Sequence, residues 1–272
     1  MSVELTPTLE TQTEQEWTPP LPPTDLIFDD GETLESNRHR IAMNVLIEAI
    51  HQAYEGRDDY YTSGNMFVYY SSRQARNQDF RGPDFFVALN VDGIKERQGW
   101  VVWEEEGRYP DVIVELMSPS TAHEDIGPKK DIYEQTFRTR DYFVYNPFDR
   151  QSLQGWHLDS NGRYQEIVPD ERGWLWCQSL ELWLGVWDGT LTKENAPWLR
   201  FFDAQGNLIL LSQELAKQER ERAEQERERA EQERERAEQE RDRANAAEAR
   251  LRELQDRLQA MGIDPNTVNP SD

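Results

Sequence analysis

Residues 109–145 constrain the fold more than any other stretch, because they read as a strand, a loop, a helix and a second strand. Residues 111–117 are rich in β-branched side chains, which favours a strand. Side chains of one helical face then recur every four positions from Lys129 to Phe137. Residues 142–147 predict a second strand that ends at an Asn-Pro pair. A unit of this length is a crossover, so the two strands are predicted to lie parallel in one sheet.

The loop before this helix carries the expected start signals. Asp125 can cap the N-terminus with its side chain, and Pro128 suits a first helical turn. Lys129 and Lys130 follow side by side, about 100° apart around the helix, so only one of them can face the strands. The spacing to Tyr133 favours Lys129.

Glu115 is a carboxylate inside an otherwise apolar strand. Burying an unpaired carboxylate is costly, so this side chain needs a cation or a proton as its partner. Asp111 lies on the same face of the strand, but four residues of extended chain span roughly 13 Å. The two acids therefore cannot chelate one ion together. Asp111 is interpreted as an accessory, substrate-side residue or as the structural start of the strand.

Three elements are predicted upstream of this unit. Residues 36–54 carry apolar side chains at helical spacing, and Ser36 or Asn37 can cap this helix. Residues 61–70 favour a single strand with Gly64 as a bend or bulge. The third element is a strongly apolar strand, which Asp84 directly precedes. Asp84 can project from the strand end toward a site, or it can simply complete a Gly-Pro-Asp turn, and the sequence leaves both interpretations open.

The net charge of −23 restricts how this chain could bind nucleic acid. Residues 212–272 hold 12 basic and 17 acidic side chains, so most of the acidity lies before them. Broad electrostatic DNA binding uses Lys and Arg to displace counterions, and this composition counts against it. A local basic groove remains compatible with the sequence. The arginines Arg73, Arg76 and Arg81 form the candidate substrate-binding patch, although they could equally pair with surface carboxylates.

Three features of the sequence favour a cytoplasmic protein. Its single cysteine, Cys177, excludes an internal disulfide framework, which fits a reducing compartment. The first residues are acidic and polar, which is not the pattern of a signal peptide. No apolar run approaches the ~20 residues of a membrane helix. We therefore expect a cytoplasmic location without membrane contact.

Composition divides the chain into four predicted parts. Residues 1–24 are polar and Pro-rich, which indicates a disordered arm. Residues 25–211 suffice for one α/β or α+β domain with its own core. Within them, residues 150–205 alternate aromatic runs with turn residues, which predicts hairpins. Residues 212–261 repeat every seven positions and predict a charged helix, and residues 262–272 form a short disordered tail.

The first heptads favour an isolated helix, and the last ones favour a surface that can pair with another helix. Ala recurs every seven residues from Ala216 to Ala244, and in the first four heptads a Glu stands where a coiled coil requires an apolar residue. Glu–Arg pairs three and four residues apart can support such a helix in water. An apolar seam follows, formed by Ala244, Ala247, Leu251, Leu254, Leu258 and Met261. This seam, within residues 244–261, is where a homodimer could form.

Four features of the sequence occur together: PDVIVELMSPST at 110–121, the spacing D-x-G-x-K-x-x-x-Y from Asp125 through Gly127 and Lys129 to Tyr133, YFVYNP at 142–147, and GPDFFVAL at 82–89. With them the chain resembles the Uma2 family of endonucleases, also called DUF820, over roughly residues 25 to 200. That family's fold resembles the PD-(D/E)XK nucleases. The predicted fold class is therefore α/β (α+β), a restriction-endonuclease-like mixed sheet flanked by helices, followed by the long charged helix.

The resemblance implies the chemistry of a nuclease. Hydrolysing a phosphodiester needs a divalent cation, a polarised water and charge compensation, and Mg²⁺ or Mn²⁺ takes carboxylate oxygens. Asp84 and Glu115 are the predicted metal-binding catalytic pair. Glu48, on the first helix, is an accessory candidate if it is not simply a solvent-facing acid. The usual nuclease pattern has a Lys two residues after the strand acid, where this chain has Met117, and the resemblance offers Lys129 as its replacement.

Two hypotheses of different classes follow. The first is a Mg²⁺-dependent endonuclease acting on DNA, which the set of Asp84, Glu115 and Lys129 favours. The second is a catalytically inactive nuclease-fold protein that binds or scaffolds partners through its C-terminal helix, which the acidic composition and Met117 favour. The sequence has no zinc-type Cys/His spacing and no nucleophile-elbow, Walker or Rossmann glycine pattern.

Overall fold

The computed structural model of the protein describes residues 22–28, 36–76 and 81–262. The chain forms two compact units, which divide between Ile209 and Leu210. The first unit holds a mixed α+β domain and the second holds one long helix. None of the helices in the described ranges is both long and apolar enough to span a membrane.

The described part of the first unit contains eleven strands in three sheets. In chain order they are β1 (Tyr60–Ser63), β2 (Val68–Tyr69), β3 (Phe85–Leu89), β4 (Trp100–Val101), β5 (Val112–Leu116), β6 (Asp141–Tyr145), β7 (Gln154–Leu158), β8 (Tyr164–Glu166), β9 (Leu175–Cys177), β10 (Leu182–Leu191) and β11 (Glu194–Phe202). The largest sheet has the order β1-β3-β5-β6-β7-β8. Within it β5 and β6 are parallel and the other neighbours are antiparallel. The predicted parallel crossover and the predicted mixed-sheet fold class are confirmed.

The link between β5 and β6 is one helical run over residues 122–137, the crossover helix. Its α-helical segments Ala122–Glu124 and Lys130–Ile132 alternate with the π-helical segments Asp125–Lys129 and Tyr133–Phe137. The prediction that Asp125 caps this helix is wrong, because the helix begins three residues earlier and Asp125 already has helical dihedrals of φ −65° and ψ −42°. The side chain of Asp125 is therefore available for contacts inside the fold.

Pro128 explains the irregular hydrogen bonding of the crossover helix. It lies inside the first π-helical segment rather than in a first turn. A proline there has no N–H to donate, and its ring clashes with the carbonyl of the residue four positions earlier. A wider turn relieves that clash, and single π-turns inside α-helices occur frequently at functional sites.

The predicted first helix is confirmed as α1 (Asn37–Ala53). Ser36 is its N-cap, and the Ser36 side chain accepts a hydrogen bond from the His39 backbone N–H. The His39 ring lies 2.8 Å from the Ser36 hydroxyl through Nδ1 and 3.4 Å from the Met117 carbonyl through Nε2. The start of α1 is thereby tied to the end of β5. Two shorter helices follow, α2 (Ser72–Arg76) and a 3₁₀ turn (Val102–Glu104).

The prediction of one strand over residues 61–70 is wrong. The structure has two strands there, and β2 leaves the main sheet to pair in parallel with β4. The break comes at Gly64, where a Cβ atom would lie 2.4 Å from the Asp84 carbonyl oxygen. The next residue, Asn65, has a positive φ of 49°. Close backbone contact and a left-handed residue together turn the chain out of the sheet.

The predicted hairpins of residues 150–205 are confirmed. β7 pairs with β8, and β10 pairs with both β9 and β11 in the three-stranded sheet. Tryptophans in this region pack against protein neighbours. The ring of Trp174, for example, lies 3.7 Å from Phe202 and 3.8 Å from the Arg172 guanidinium. These contacts are those of a packed sheet surface.

The second unit contains the predicted charged helix, which is confirmed over Ser212–Ala260. At 1.5 Å per residue its 49 residues span roughly 74 Å. Not one residue of this helix is buried. Its apolar seam is exposed as well, with Leu251 and Leu254 each more than half accessible. Local backbone hydrogen bonding and side-chain pairs along the helix therefore account for its form.

Candidate functional site

Two carboxylates meet where β3 and β5 lie side by side. The antiparallel register pairs Phe85 with Val114, which places Asp84 opposite Glu115. The Leu116 backbone N–H donates to Asp84 Oδ2 at 2.8 Å, and the Asp84 backbone N–H donates to Glu115 Oε2 at 3.4 Å. Each carboxylate thus accepts a backbone N–H at the point where the two strands pair, and each acid influences the pKa of the other.

Glu115 faces the crossover helix and is fully buried. Its neighbours on that face, Ile113 and Met117, pack in the same core cluster as Tyr133. The Tyr133 hydroxyl donates to Glu115 Oε1 at 2.7 Å. The Lys129 ammonium lies 3.3 Å from Glu115 Oε2. Each oxygen of this carboxylate thus has one partner from the helix.

Burial is the largest influence on the acids of this site. It raises the pKa of Glu115 to about 7, with the nearby Asp84 charge acting in the same direction and Lys129 opposing it. Burial likewise raises the pKa of Asp84. Burial alone would lower the pKa of Lys129, but Glu115 and Asp125 outweigh it and raise that pKa above its ordinary value. Lys129 is therefore a cation at neutral pH, whereas Glu115 is partly protonated near pH 7.

The structure adds Asp125 to this group. It is 1% exposed, and its Oδ1 forms an ion pair with Lys129 Nζ at 2.8 Å. Asp125 is the first residue of the D-x-G-x-K spacing, but the sequence predicts only a capping role for it. The signal that could have found it is the four-residue separation from Lys129, which places an acid and a base on one face of a helix.

The two adjacent lysines point in different directions. Lys129 faces the acids, whereas Lys130 Nζ lies 4.3 Å from the ring centroid of Trp156. Sequence spacing predicted that Lys129 would be the one to face the strands, and the structure places it there. Its catalytic role stays a prediction.

Asp111 is not brought to the site. Its Oδ2 accepts a hydrogen bond from the Leu89 backbone N–H at 2.8 Å, and its Oδ1 lies 3.5 Å from Arg140 Nε. Both contacts tie the start of β5 to neighbouring chain. Of its two interpretations, the structural start of the strand agrees with these contacts.

Glu48 lies on α1, partly exposed. The side of α1 toward the site is marked by Met43, whose side chain lies with the Asp84 carbonyl around Gly64. Glu48 follows Met43 by five residues, about 140° around the helix. Its accessory role in the site stays a prediction.

The three candidate substrate-binding arginines are separated by their surroundings. Arg73 is exposed on α2, and Arg81 is half-buried where its carbonyl accepts a hydrogen bond from the Val68 N–H. The side chain of Arg76 lies outside the described residues. A role in binding phosphate stays a prediction for all three.

The charges of the site suit one divalent cation. When all are ionised, the carboxylates of Asp84, Glu115 and Asp125 and the ammonium of Lys129 leave two negative charges. No group of three or more acidic, His or Cys side chains with metal-binding geometry lies within the described ranges. Mg²⁺ needs no such cage, because it commonly uses one or two carboxylates together with waters and substrate phosphates. The adjacent Asp84 and Glu115 carboxylates meet that requirement.

Comparison with known proteins gives a family and a solved structure to which the chain is similar. The Uma2 family, described as "Putative restriction endonuclease", matches residues 15–192. A crystal structure described as "a putative nuclease belonging to DUF820 from Anabaena variabilis ATCC 29413" is 13% identical, covers 59% of this chain and 86% of its own, and superposes with a TM-score of 0.39. No curated protein matches the sequence. Because the family match spans more than half of the chain, the protein belongs to the Uma2 family.

Proposed function

We propose that the protein is a metal-dependent endonuclease that hydrolyses phosphodiester bonds in DNA. The observation that carries the proposal is the adjacency of the Asp84 and Glu115 carboxyl groups, with the Lys129 ammonium 3.3 Å from Glu115. Membership of a family described as restriction endonucleases supports the same reaction class.

In this proposal Asp84 and Glu115 hold Mg²⁺ or Mn²⁺, which when bound polarises water and offsets charge on the phosphate. Tyr133 fixes Glu115 by donating to Oε1, so the carboxylate cannot rotate freely. Lys129 presents an ammonium next to the acids, where it can orient the attacking water or contact a phosphate oxygen. Met117 cannot take that part, because its side chain is apolar and buried in the core.

Substrate contact is proposed to be local. The chain carries 53 acidic and 30 basic residues, and this composition counts against a wide basic face. A cation at the two carboxylates would supply positive charge at the scissile phosphate itself. Arg73, Arg76 and Arg81 are proposed to contact neighbouring phosphates.

The test is cleavage of supercoiled plasmid by purified protein with Mg²⁺ or Mn²⁺. We expect Glu115→Gln to lower the cleavage rate by about 10³-fold or more, about 4 kcal/mol, because it removes one of the two metal-binding carboxylates. Glu124→Gln is the matched control, since Glu124 is an exposed acid on the crossover helix, and it should cleave like wild type. Equal rates for wild type and Glu115→Gln would contradict the proposal and favour the inactive scaffold alternative.

We also propose that the apolar seam pairs two copies of the chain in parallel. Leu251 and Leu254 are exposed and spaced at coiled-coil positions. In a parallel pair Arg243 of one copy lies opposite Glu248 of the other, at the flanking positions where opposite charges attract. Sedimentation equilibrium should show a weak dimer that Leu254→Glu abolishes. A dimer that survives this change would place the interface elsewhere.

A further inference from the structure

Asp125 is a buried carboxylate to which the proposed reaction gives no part. It is 1% exposed, and burying an ionised carboxylate is unfavourable unless close partners compensate for the lost hydration. Its closest charged partner is Lys129, at 2.8 Å. The contact between Lys129 and Glu115 is longer, at 3.3 Å. Of the two acids, Asp125 therefore makes the tighter contact with the lysine.

Two simpler roles do not account for Asp125. It does not cap the helix, because the helix starts at Ala122 and Asp125 has helical dihedrals. It does not complete a three-acid metal site, since the described ranges contain no such group. Its backbone carbonyl accepts a hydrogen bond from the Tyr142 hydroxyl at 2.7 Å, which holds this turn of the helix against β6. The backbone of Asp125 is thus fixed in the place from which its side chain contacts Lys129.

The alternation of α- and π-helical segments changes which residues of the crossover helix share a face. A π-turn contains more residues than the 3.6 of an α-turn, so a helix that alternates the two averages about 4 residues per turn. Residues spaced by four, such as Asp125, Lys129 and Tyr133, then stack in a straight row. In a regular α-helix Asp125 and Tyr133 would diverge by about 80°. The row faces Glu115, which Lys129 and Tyr133 both contact.

A lysine benefits from a second acid in this position. Its ammonium is a point charge on a flexible four-carbon stem with three donors. One acid alone leaves that stem several conformations, whereas two acids on either side restrict it to one. Glu115 accepts one N–H of Lys129 in a hydrogen bond. Asp125 Oδ1 contributes its charge as an ion pair at 2.8 Å without hydrogen-bond geometry, so the other N–H groups of Lys129 can turn toward water or a phosphate oxygen.

We propose that Asp125 is a positioning residue that holds the Lys129 ammonium against Glu115, in a row set by the π-turn at Pro128. The proposal rests on the proposed nuclease function and deepens it, because it assigns the residue through which Lys129 acts. Asp125 itself touches neither the metal nor the DNA. Its effect on cleavage passes entirely through Lys129.

A double-mutant cycle tests this. Asp125→Asn should lower kcat by tenfold or more with little change in KM, because the substrate still binds while the ammonium is displaced. In the Lys129→Ala background, Asp125→Asn should have no further effect on kcat. A further drop in that background would overturn the proposal, since it would show that Asp125 acts on the reaction directly.

A second measurement reports on Lys129 without any cleavage. Competitive acetylation with mass spectrometry gives the reactivity of each lysine in the folded protein. We expect Asp125→Asn to raise the reactivity of Lys129 several-fold and to leave Lys130, which packs on Trp156, unchanged. An unchanged Lys129 reactivity would overturn the proposal. A wild-type protein that never cleaves DNA would refute the nuclease function, while acetylation would still decide whether Asp125 holds Lys129.

Asp125→Asn preserves shape but removes charge, so circular dichroism should first show that it folds. If it does not, Asp125→Ser is the second variant, because it removes the carboxylate and leaves a smaller polar group. The same rise in Lys129 reactivity is expected there. Restoring the acid as Asp125→Glu should return part of kcat, which a purely structural residue with a fixed volume would not do.

Discussion

Two acid–base pairs of the protein share a four-residue helical spacing and differ in their surroundings. Asp125 and Lys129 form one in the crossover helix, where the side chains are 1% and 24% exposed. Arg222 and Glu226 form the other in the C-terminal helix, at 81% and 67% exposed. The distances are 2.8 Å and 3.4 Å. The same spacing of opposite charges thus occurs both inside a packed site and in contact with water.

The difference shows that surroundings, more than pairing, decide what a charge can do. In water, hydration and salt reduce an ion pair to a few tenths of a kcal/mol, so Arg222 and Glu226 support the helix and do little else. Away from water, each charge depends on its partners and changes the protonation of its neighbours. The buried pair can therefore alter the protonation of neighbouring groups, as a reactive site requires. The exposed pair only adds a little stability to a solvated helix.

Within the two pairs, the largest effect should come from removing the cation of the buried one. Lys129→Ala leaves Glu115 and Asp125 without it, so we expect the free energy of unfolding to fall by about 3 kcal/mol. Cleavage should slow about 100-fold, about 2.7 kcal/mol. Chemical denaturation and plasmid cleavage measure the two quantities.

Two lysine and arginine controls sharpen this experiment. Lys130→Ala should cleave at nearly the wild-type rate, because Lys130 lies over Trp156 and away from the acids. Arg222→Ala should change the free energy of unfolding by less than about 0.5 kcal/mol. A larger loss of cleavage in Lys130→Ala than in Lys129→Ala would mean that the other lysine serves the site.

The next effect concerns pH, measured with metal removed. Glu115 has a pKa of about 7 in the folded protein against an ordinary value of 4.5. Between these values the folded state binds more protons than the unfolded state, so the free energy of unfolding falls as pH rises from about 4.5 to about 7. The total fall should be on the order of 3 kcal/mol at most.

Denaturation of Glu115→Gln across the same pH range isolates this contribution. The variant cannot ionise at this position, so its profile should be flatter than that of wild type. Glu226→Gln, an exposed change in the C-terminal helix, should reproduce the wild-type profile. A slope in Glu115→Gln as steep as in wild type would show that another group causes the pH dependence.

Much of this arrangement could be predicted from local sequence, and what could not depends on contacts between distant residues. The strand around Glu115 and the parallel crossover follow from β-branched composition and from spacing that neighbouring residues determine. The meeting of Asp84 with Glu115 depends on the register between β3 and β5, and a one-residue slip would turn one acid away. Sequence identified both acids but could not fix that register.

The misplaced cap and the broken strand have the same origin. An acid shortly before a proline is typical of the start of a helix, so the sequence predicts that Asp125 is the N-cap. The Tyr142 hydroxyl donates to the Asp125 carbonyl and holds this part of the helix against β6. No local sequence pattern predicts that contact. Likewise Gly64 ends β1 because Asp84 backbone approaches it. In both places a residue distant in sequence overrides a local preference.

A smaller effect should follow from straightening the crossover helix. Pro128→Ala restores an N–H donor and removes the ring, so the helix can relax toward regular α geometry. The row of Asp125, Lys129 and Tyr133 would then drift apart, and we expect cleavage to slow about tenfold, about 1.4 kcal/mol. Thermal stability should not fall, because alanine is the better helix former. Unchanged cleavage would show that the π-turn is not needed to align these residues.

The smallest effects belong to the exposed pairs, and salt separates them from the buried one. Ion pairs such as Arg222 with Glu226 and Glu253 with Arg257 lie in full contact with solvent. At 1 M salt the screening length is about 3 Å, so their attraction should largely vanish, whereas the pair of Asp125 with Lys129 is shielded from ions. A peptide of residues 212–261 should lose helical circular dichroism between 0.05 and about 1 M NaCl, by a few tenths of a kcal/mol per pair. Glu226→Gln should remove part of that salt response, and Gln225→Ala, which breaks no pair, should keep it. Helicity that is indifferent to salt would mean that intrinsic propensity alone maintains this helix, and that the two regions differ in more than the exposure of their charges.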